Sequence, residues 1–140
     1  DTLERQMTRP LRVLVVEDDP LAIDLFWRDL PGKRIKVVTA TNGADALELL
    51  HSEAFDLLVT DLVMPVMNGL QLITAVRAAP RLSFIPILVA TGYVAGPTRI
   101  ASFKAGADEC ITKPFSRSDI VRLLEFLLVR RRQQVGTWHA

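Results

Sequence analysis

The sequence predicts a doubly wound α/β domain, a parallel sheet with helices on both faces. Three observations carry that reading. Five short apolar runs alternate with five segments of helical character along the 140 residues. The runs lack clean polar–apolar alternation, so each is expected to bury both of its faces. Turn and cap residues such as Asp19-Pro20, Pro31-Gly32 and Asn42-Gly43 fall between the segments.

Residues 1–10 are polar and unpatterned and read as a leader or linker. Arg12 to Val16 form the first strand, and Asp19 then caps a helix that has Pro20 at its first position. Ile23, Phe26, Trp27 and Leu30 recur at the spacing of an amphipathic helix, which makes Trp27 a core residue. "IKVVTA" is the second strand, and "TNG" opens a helix that runs to about Glu53. His51 lies late in that helix, near its C-terminal dipole. Asp56 to Thr60 form the third strand, and Leu72, Ile73 and Val76 mark the helix after it. Ile85 to Thr91 form the fourth strand, with Pro86 near its start, where a sheet tolerates proline. A weaker helical pattern spans Pro97 to Ala105 and is ended by Gly106. "ECIT" is a short fifth strand. Ser116, with Asp119 three residues on, has the form of a capping box. It opens a last helix with the stripe Ile120, Leu123, Leu124, Leu127 and Leu128. Arg130 to Arg132 read as that helix's last turn, where cations complement its dipole. The domain is expected over residues 11–132, with 133–140 a tail or a cut linker.

Composition narrows the function classes. Apolar residues make up 49% of the chain, enough for a sizeable core. Seventeen basic against sixteen acidic residues leave a net charge of +1, which offers no basic face for direct nucleic-acid contact. The one cysteine, Cys110, excludes an internal disulfide framework and fits a reducing compartment. No apolar run of about 18 residues appears, nor any signal-peptide pattern. A cytoplasmic protein without membrane contact is therefore expected. The chain begins at Asp1 rather than Met, which fits a piece of a longer protein.

In open parallel sheets, ligands bind outside the carboxyl ends of the strands. Those ends carry Glu17-Asp18-Asp19 after the first strand, Asp61 after the third, Thr91 at the end of the fourth and Lys113 after the fifth. Polar residues at strand ends are ordinary one at a time, but four chemically complementary groups at one edge describe a site. Gathered carboxylates call for a hard divalent cation with oxygen ligands, and Mg²⁺ shares its remaining positions with phosphate oxygens. A carboxylate is also a competent nucleophile toward phosphorus. A lysine and a hydroxyl beside it supply the neutralisation that phosphoryl transfer needs.

"VVEDDP", "LLVTDLVMPVMNG", "ILVATGY" and "CITKPF", in this order and spacing, resemble the receiver domain of two-component response regulators. The resemblance covers about Leu11 to Arg130, and "TDLVMPVMNG" is its most specific element. It implies a flavodoxin-like sheet of order 2-1-3-4-5 with five helices. It implies Asp61 as phosphoacceptor, with Thr91 hydrogen-bonding and Lys113 pairing with the phosphoryl group. Glu17 and Asp18 would be the acidic pair for Mg²⁺ (or Mn²⁺), Asp18 directly and Glu17 through water. Asp61 and the backbone carbonyl of Val63 would complete the ligands, and Asp19 would stay a helix cap. Met64 and Pro65 would shape the loop after Asp61, and Gly69 would relieve its backbone. Lys113-Pro114 resembles the family's cis peptide.

Two departures stand out. The family commonly places an aromatic three residues before its lysine, and this chain has Cys110 there, read as a small buried strand residue. Tyr93 stands two past Thr91, at the rim. With Val63 it would crowd the approach of water and prolong the life of an aspartyl-phosphate.

The function expected is a signalling switch that accepts phosphate from a histidine kinase, a phosphotransfer protein or a small phosphodonor. It would modify itself rather than turn over a diffusing product. The face of the fourth helix, fifth strand and fifth helix would change partners, including a second copy of the chain. A degenerate receiver acting only as an interaction module is the alternative. A dehalogenase-like phosphatase would want a second aspartate at Val63. A flavodoxin would want a hydroxyl-rich phosphate loop where this chain has acids. A stand-alone regulator, the receiver of a hybrid kinase and a part of a larger regulator all fit.

Overall fold

The computed structural model describes residues 10–28, 35–92 and 96–138, with side chains described to Arg130. Five strands, β1 (Leu11–Val16), β2 (Ile35–Ala40), β3 (Leu57–Thr60), β4 (Ile87–Thr91) and β5 (Glu109–Thr112), form one sheet of order β2-β1-β3-β4-β5. All four pairings are parallel. The register aligns Val16 with Ala40 on one side and Thr60 on the other, and Thr91 with Thr112. The carboxyl ends of the strands therefore meet at one edge.

The missing alternation in the strands has a direct cause. Leu14 and Val16, Leu58, Ile87 and Val89 point to one face and pack with Ala46, Leu50, Leu72, Ile73 and Val76. Val13 and Val15, Leu57 and Val59, Leu88 and Ala90 point to the other and pack with Trp27, Ile120, Leu124 and Leu127. Successive side chains alternate faces, but both faces are apolar, so the period of two disappears from the sequence. The first face is covered by α2 (Gly43–Ser52) and α3 (Gly69–Ala78), the second by the first and last helices.

Strand starts differ slightly from the sequence pattern. Asp56 precedes β3 and turns its carboxylate onto the Arg12 amide at 2.9 Å. Pro86 has no N–H for the ladder, so β4 begins at Ile87, although the Pro86 carbonyl still accepts from the Leu58 amide at 3.0 Å.

The first helix departs further. Asp19 caps it as expected, accepting from the Leu21 amide at 3.0 Å. The α-helical part of α1 covers only Pro20–Ala22, and Ile23–Trp27 continue it as a π-helical turn closed by Arg28 N–H donating to the Ile23 carbonyl at 3.0 Å. This wider turn seats two adjacent large rings, Phe26 and Trp27, against one partner, Phe115. Leu30 and the leader at 1–9 lie outside the described residues.

Helix α4 covers Gly96–Ala105 and α5 covers Arg117–Trp138. Asp119 N–H donates to the Ser116 hydroxyl at 3.1 Å, the forward bond of the expected cap. Because α5 continues to Trp138, Arg130 to Arg132 stand inside the helix rather than in its last turn, and the dipole reading of those three residues is corrected. No proline follows Leu128 to stop the helix. No helix among the described residues is long and apolar enough to cross a membrane.

Candidate acidic site at the carboxyl edge of the sheet

Glu17, Asp61 and Lys113 are each held by a backbone bond at a strand end. The Glu17 amide donates to the Ala40 carbonyl at 2.9 Å, and the Asp61 amide to the Val16 carbonyl at 3.0 Å. The Lys113 amide donates to the Thr91 carbonyl at 2.9 Å. The sheet ladder thus runs one step past its strands and anchors Glu17, Asp61 and Lys113.

Carboxylate oxygens of Glu17, Asp18 and Asp61 lie within 4.8 Å of one another. Glu17 is buried, Asp61 half-buried and Asp18 exposed. The Lys113 ammonium bonds both Glu17 and Asp61, reaching Asp61 Oδ2 at 3.0 Å. Asp61 Oδ1 accepts from the Leu62 amide at 2.6 Å. Glu17 Oε2 accepts from the Asp19 amide at 3.3 Å. Burial pushes the Glu17 carboxyl above its usual range, with Asp61 adding to that push and Lys113 opposing it. Burial also works against the Lys113 charge, but the bonds to Glu17 and Asp61 outweigh it and hold the ammonium above the ordinary lysine value.

Thr91 is buried at the end of β4. Val63 stands on the loop after Asp61 with its side chain exposed. Tyr93 lies outside the described residues. The Lys113–Pro114 bond is cis. Cys110 is buried, as a small strand residue should be.

Gly69 has a sharper role than relief of its own backbone. A Cβ there would stand 2.1 Å from the Asp61 carbonyl oxygen and 2.8 Å from Leu62 Cα. The loop that follows Asp61 closes on the start of α3, with the Gly69 amide donating to the Leu62 carbonyl at 2.9 Å, and only a glycine leaves room. Sequence reasoning also passed over the capping box of α3. Asn68 accepts from the Gln71 amide at 2.9 Å and its own amide donates to the Gln71 side chain at 3.0 Å. The Asn-x-x-Gln spacing was a readable signal.

A clustered acid set, a lysine bridging two of its members and a buried hydroxyl thus gather at the carboxyl edge of a 2-1-3-4-5 sheet. The family model described as the response regulator receiver domain matches residues 13–125. The chain belongs to this family.

Among the receiver's relatives is PrrA, a transcriptional regulatory protein of Mycobacterium tuberculosis. It is 35% identical over 129 residues, covering 92% of this chain and 54% of PrrA, so the chain spans about half of that regulator. The chemotaxis response regulator CheY4 of Vibrio cholerae superposes with a TM-score of 0.78 at 28% identity, covering 85% of this chain and 99% of CheY4. The receiver domain of the sensor histidine kinase PA1611 of Pseudomonas aeruginosa shares the fold, with a TM-score of 0.76 at 24% identity over 85% of this chain and 98% of that one. That structure has a magnesium ion coordinated in its active-site cleft.

Proposed function

We propose that this receiver is a phosphorylation-dependent switch of a two-component system, with Asp61 as its phosphoacceptor. The observation that carries the reading is Lys113 bonded at once to Asp61 and Glu17 inside a group of three carboxylates. The lysine pairs with Asp61 and waits where negative charge will be added.

The Asp61 carboxylate attacks the phosphorus of a phosphohistidine on a histidine kinase or phosphotransfer protein, or of a small acyl phosphate. The new O–P bond forms as the donor's P–N or P–O bond breaks, and the imidazole or carboxylate leaves with the bonding pair. Lys113 meets one non-bridging oxygen with its ammonium, and the Thr91 hydroxyl donates to another. Asp61 stays aligned because the Leu62 amide and the closely packed Gly69 fix its loop. The carboxylates of Glu17, Asp18 and Asp61 fit Mg²⁺, an oxygen-seeking ion that needs only one or two of them directly. The family resemblance would add the Val63 carbonyl, with Glu17 acting through water. When bound, Mg²⁺ (or Mn²⁺) supplies neutralisation of the phosphoryl oxygens as charge develops on them. The phosphoryl group stays on the chain, which modifies itself rather than turning over a substrate.

The phosphoryl group adds a charge of about −1.5 to −2. Lys113 and Thr91 are drawn to it, which biases an equilibrium of the face formed by α4, β5 and α5. Exposed apolar side chains on α4 and α5, Ile100 and Phe126 among them, support that face as the one that changes partners, a second copy included.

Asp18→Asn tests the metal arm. The variant should fold normally, lose Mg²⁺ affinity by at least tenfold (about 1.4 kcal/mol) and take up phosphate from acetyl phosphate far more slowly. Unchanged affinity and uptake would show that the acidic group serves another purpose.

A further inference from the structure

The residues that follow Lys113 lead away from the site toward α1, and α1 leads back. The Phe115 ring, two residues after the lysine, packs in tilted contact against Phe26 at 4.7 Å between centroids and against Trp27 at 5.4 Å. Trp27 is buried in the core and Phe26 and Phe115 are partly buried against it. At its other end α1 is capped by Asp19, whose amide donates to Glu17, and Glu17 bonds Lys113. These contacts close a circuit: Lys113, Glu17, the start of α1, its aromatic end, Phe115, and back to Lys113. The other side of Lys113 offers no such lever, because β5 carries the small Cys110 against the first face of the sheet.

We propose that Phe115 is a positioning residue for Lys113, and that its stack on α1 makes this helix register the phosphorylation of Asp61. The inference rests on the phosphoacceptor role of Asp61. In the unphosphorylated chain the ammonium is shared between Glu17 and Asp61. A phosphoryl group on Asp61 draws the ammonium from Glu17 and moves the short Lys113–Phe115 segment with it. The ring then shifts on Phe26 and Trp27, while the Glu17 end of α1 is released from the lysine. The two ends of α1 are loaded in one event, and its exposed Leu21 and Leu25 travel with it. The π-helical turn at Ile23–Trp27 places both rings where Phe115 can grip them.

Trp27 and Trp138 are the two tryptophans, so Trp138→Phe leaves Trp27 as the reporter. In that variant, acetyl phosphate with Mg²⁺ should change Trp27 emission with the same time course as the phosphate adduct measured by intact mass. Phe115→Leu keeps an apolar side chain but removes the ring. It should slow phosphorylation roughly tenfold, within the ~100-fold reach of an ångström-scale misplacement, and leave Mg²⁺ affinity unchanged. Phe115→Tyr, which restores the ring, should recover the rate to within about twofold by the same argument. A merely structural role would weaken metal binding and rate together and would not predict rescue by tyrosine. If the parent acquires phosphate while Trp27 emission stays constant and Phe115→Leu reacts at the parental rate, this inference is overturned alone. If the parent acquires no phosphate under any donor, the phosphoacceptor reading falls and takes this one with it.

Discussion

Val66 has a φ of 66°, a left-handed conformation that β-branched residues avoid. The Met67 amide donates to the Pro65 carbonyl at 2.7 Å across it, so the strained residue is the centre of a γ-turn of the rarer, positive-φ form. The turn folds the loop after Asp61 so that the Met67 carbonyl accepts from Gly43 at 2.9 Å and Asn68 reaches its cap position on α3. Strain is thus held on the loop after Asp61 by contacts on both sides. The side chain is 83% exposed, so replacing it loses little packing. Val66→Gly should raise stability by about 0.5–1 kcal/mol, the balance of a ~1–2 kcal/mol steric cost relieved and glycine's backbone entropy added. Chemical denaturation reads this directly, and a lower midpoint in the variant would contradict the strain. A second residue-scale test concerns Cys110. Burial raises its thiol above the ordinary 9.0, with Ser102 and Arg99 acting the other way. A raised value means that the folded state holds the proton more tightly. This contribution to stability is complete below pH 9.0 and is lost as pH rises through the folded value. The native thiol should therefore resist alkylation at pH 8 and react freely once the chain is unfolded in denaturant. Equal rates in both states would show that the cysteine is accessible and ionised.

At the scale of elements, the sheet needs a clasp at the edge away from the site. Arg77, near the end of α3, supplies it. Its Nε donates to the Gly106 carbonyl at 2.9 Å, Nη1 to the carbonyls of Ser83 and Ile85 at 2.9 and 2.7 Å, and Nη2 to Asp108 at 2.9 Å. Asp108 in turn accepts from the Ile87 amide at 2.8 Å, so one guanidinium joins α3, the start of β4 and the turn before β5. Gly106, at φ 124°, passes so close that a Cβ would stand 2.5 Å from Arg77 Cγ. Arg77→Met keeps much of the apolar stem but leaves these acceptors without their donor. It should cost about 2–3 kcal/mol, as the loss of hydrogen bonds to a charged, partly buried group does. A loss below ~0.5 kcal/mol, the level of ordinary surface changes, would mean that water replaces the arginine easily. Neither this clasp nor the π-helical turn of α1 was legible in the sequence. Both depend on partners far away along the chain: Arg77 on Gly106 and Asp108, and Phe26 and Trp27 on Phe115. Local rules did find Asp19 as a cap and Trp27 as core, because capping and periodicity act within a few residues.

Across the whole molecule, the order and kind of elements were legible because the strands declare themselves by apolarity on both faces and the helices by their stripes. The site was legible for a related reason. A parallel sheet brings all its carboxyl ends to one edge, so reading the residue after each strand is enough to assemble Glu17, Asp18, Asp61, Thr91 and Lys113. What the sequence withheld was the bonding within that set: Lys113 bonds Glu17 as well as Asp61. This joins Glu17, Asp61 and Lys113 into one unit, which under the proposed function rearranges together when phosphate arrives. Under the proposed function Asp61 accepts it. The most direct measurement is intact mass after incubation with acetyl phosphate and Mg²⁺, made on the parent chain and on Asp61→Asn. The parent should gain a single phosphate and the variant, folded but lacking a comparable nucleophile, should gain none. A stable phosphate on Asp61→Asn, or none on the parent, would contradict the account.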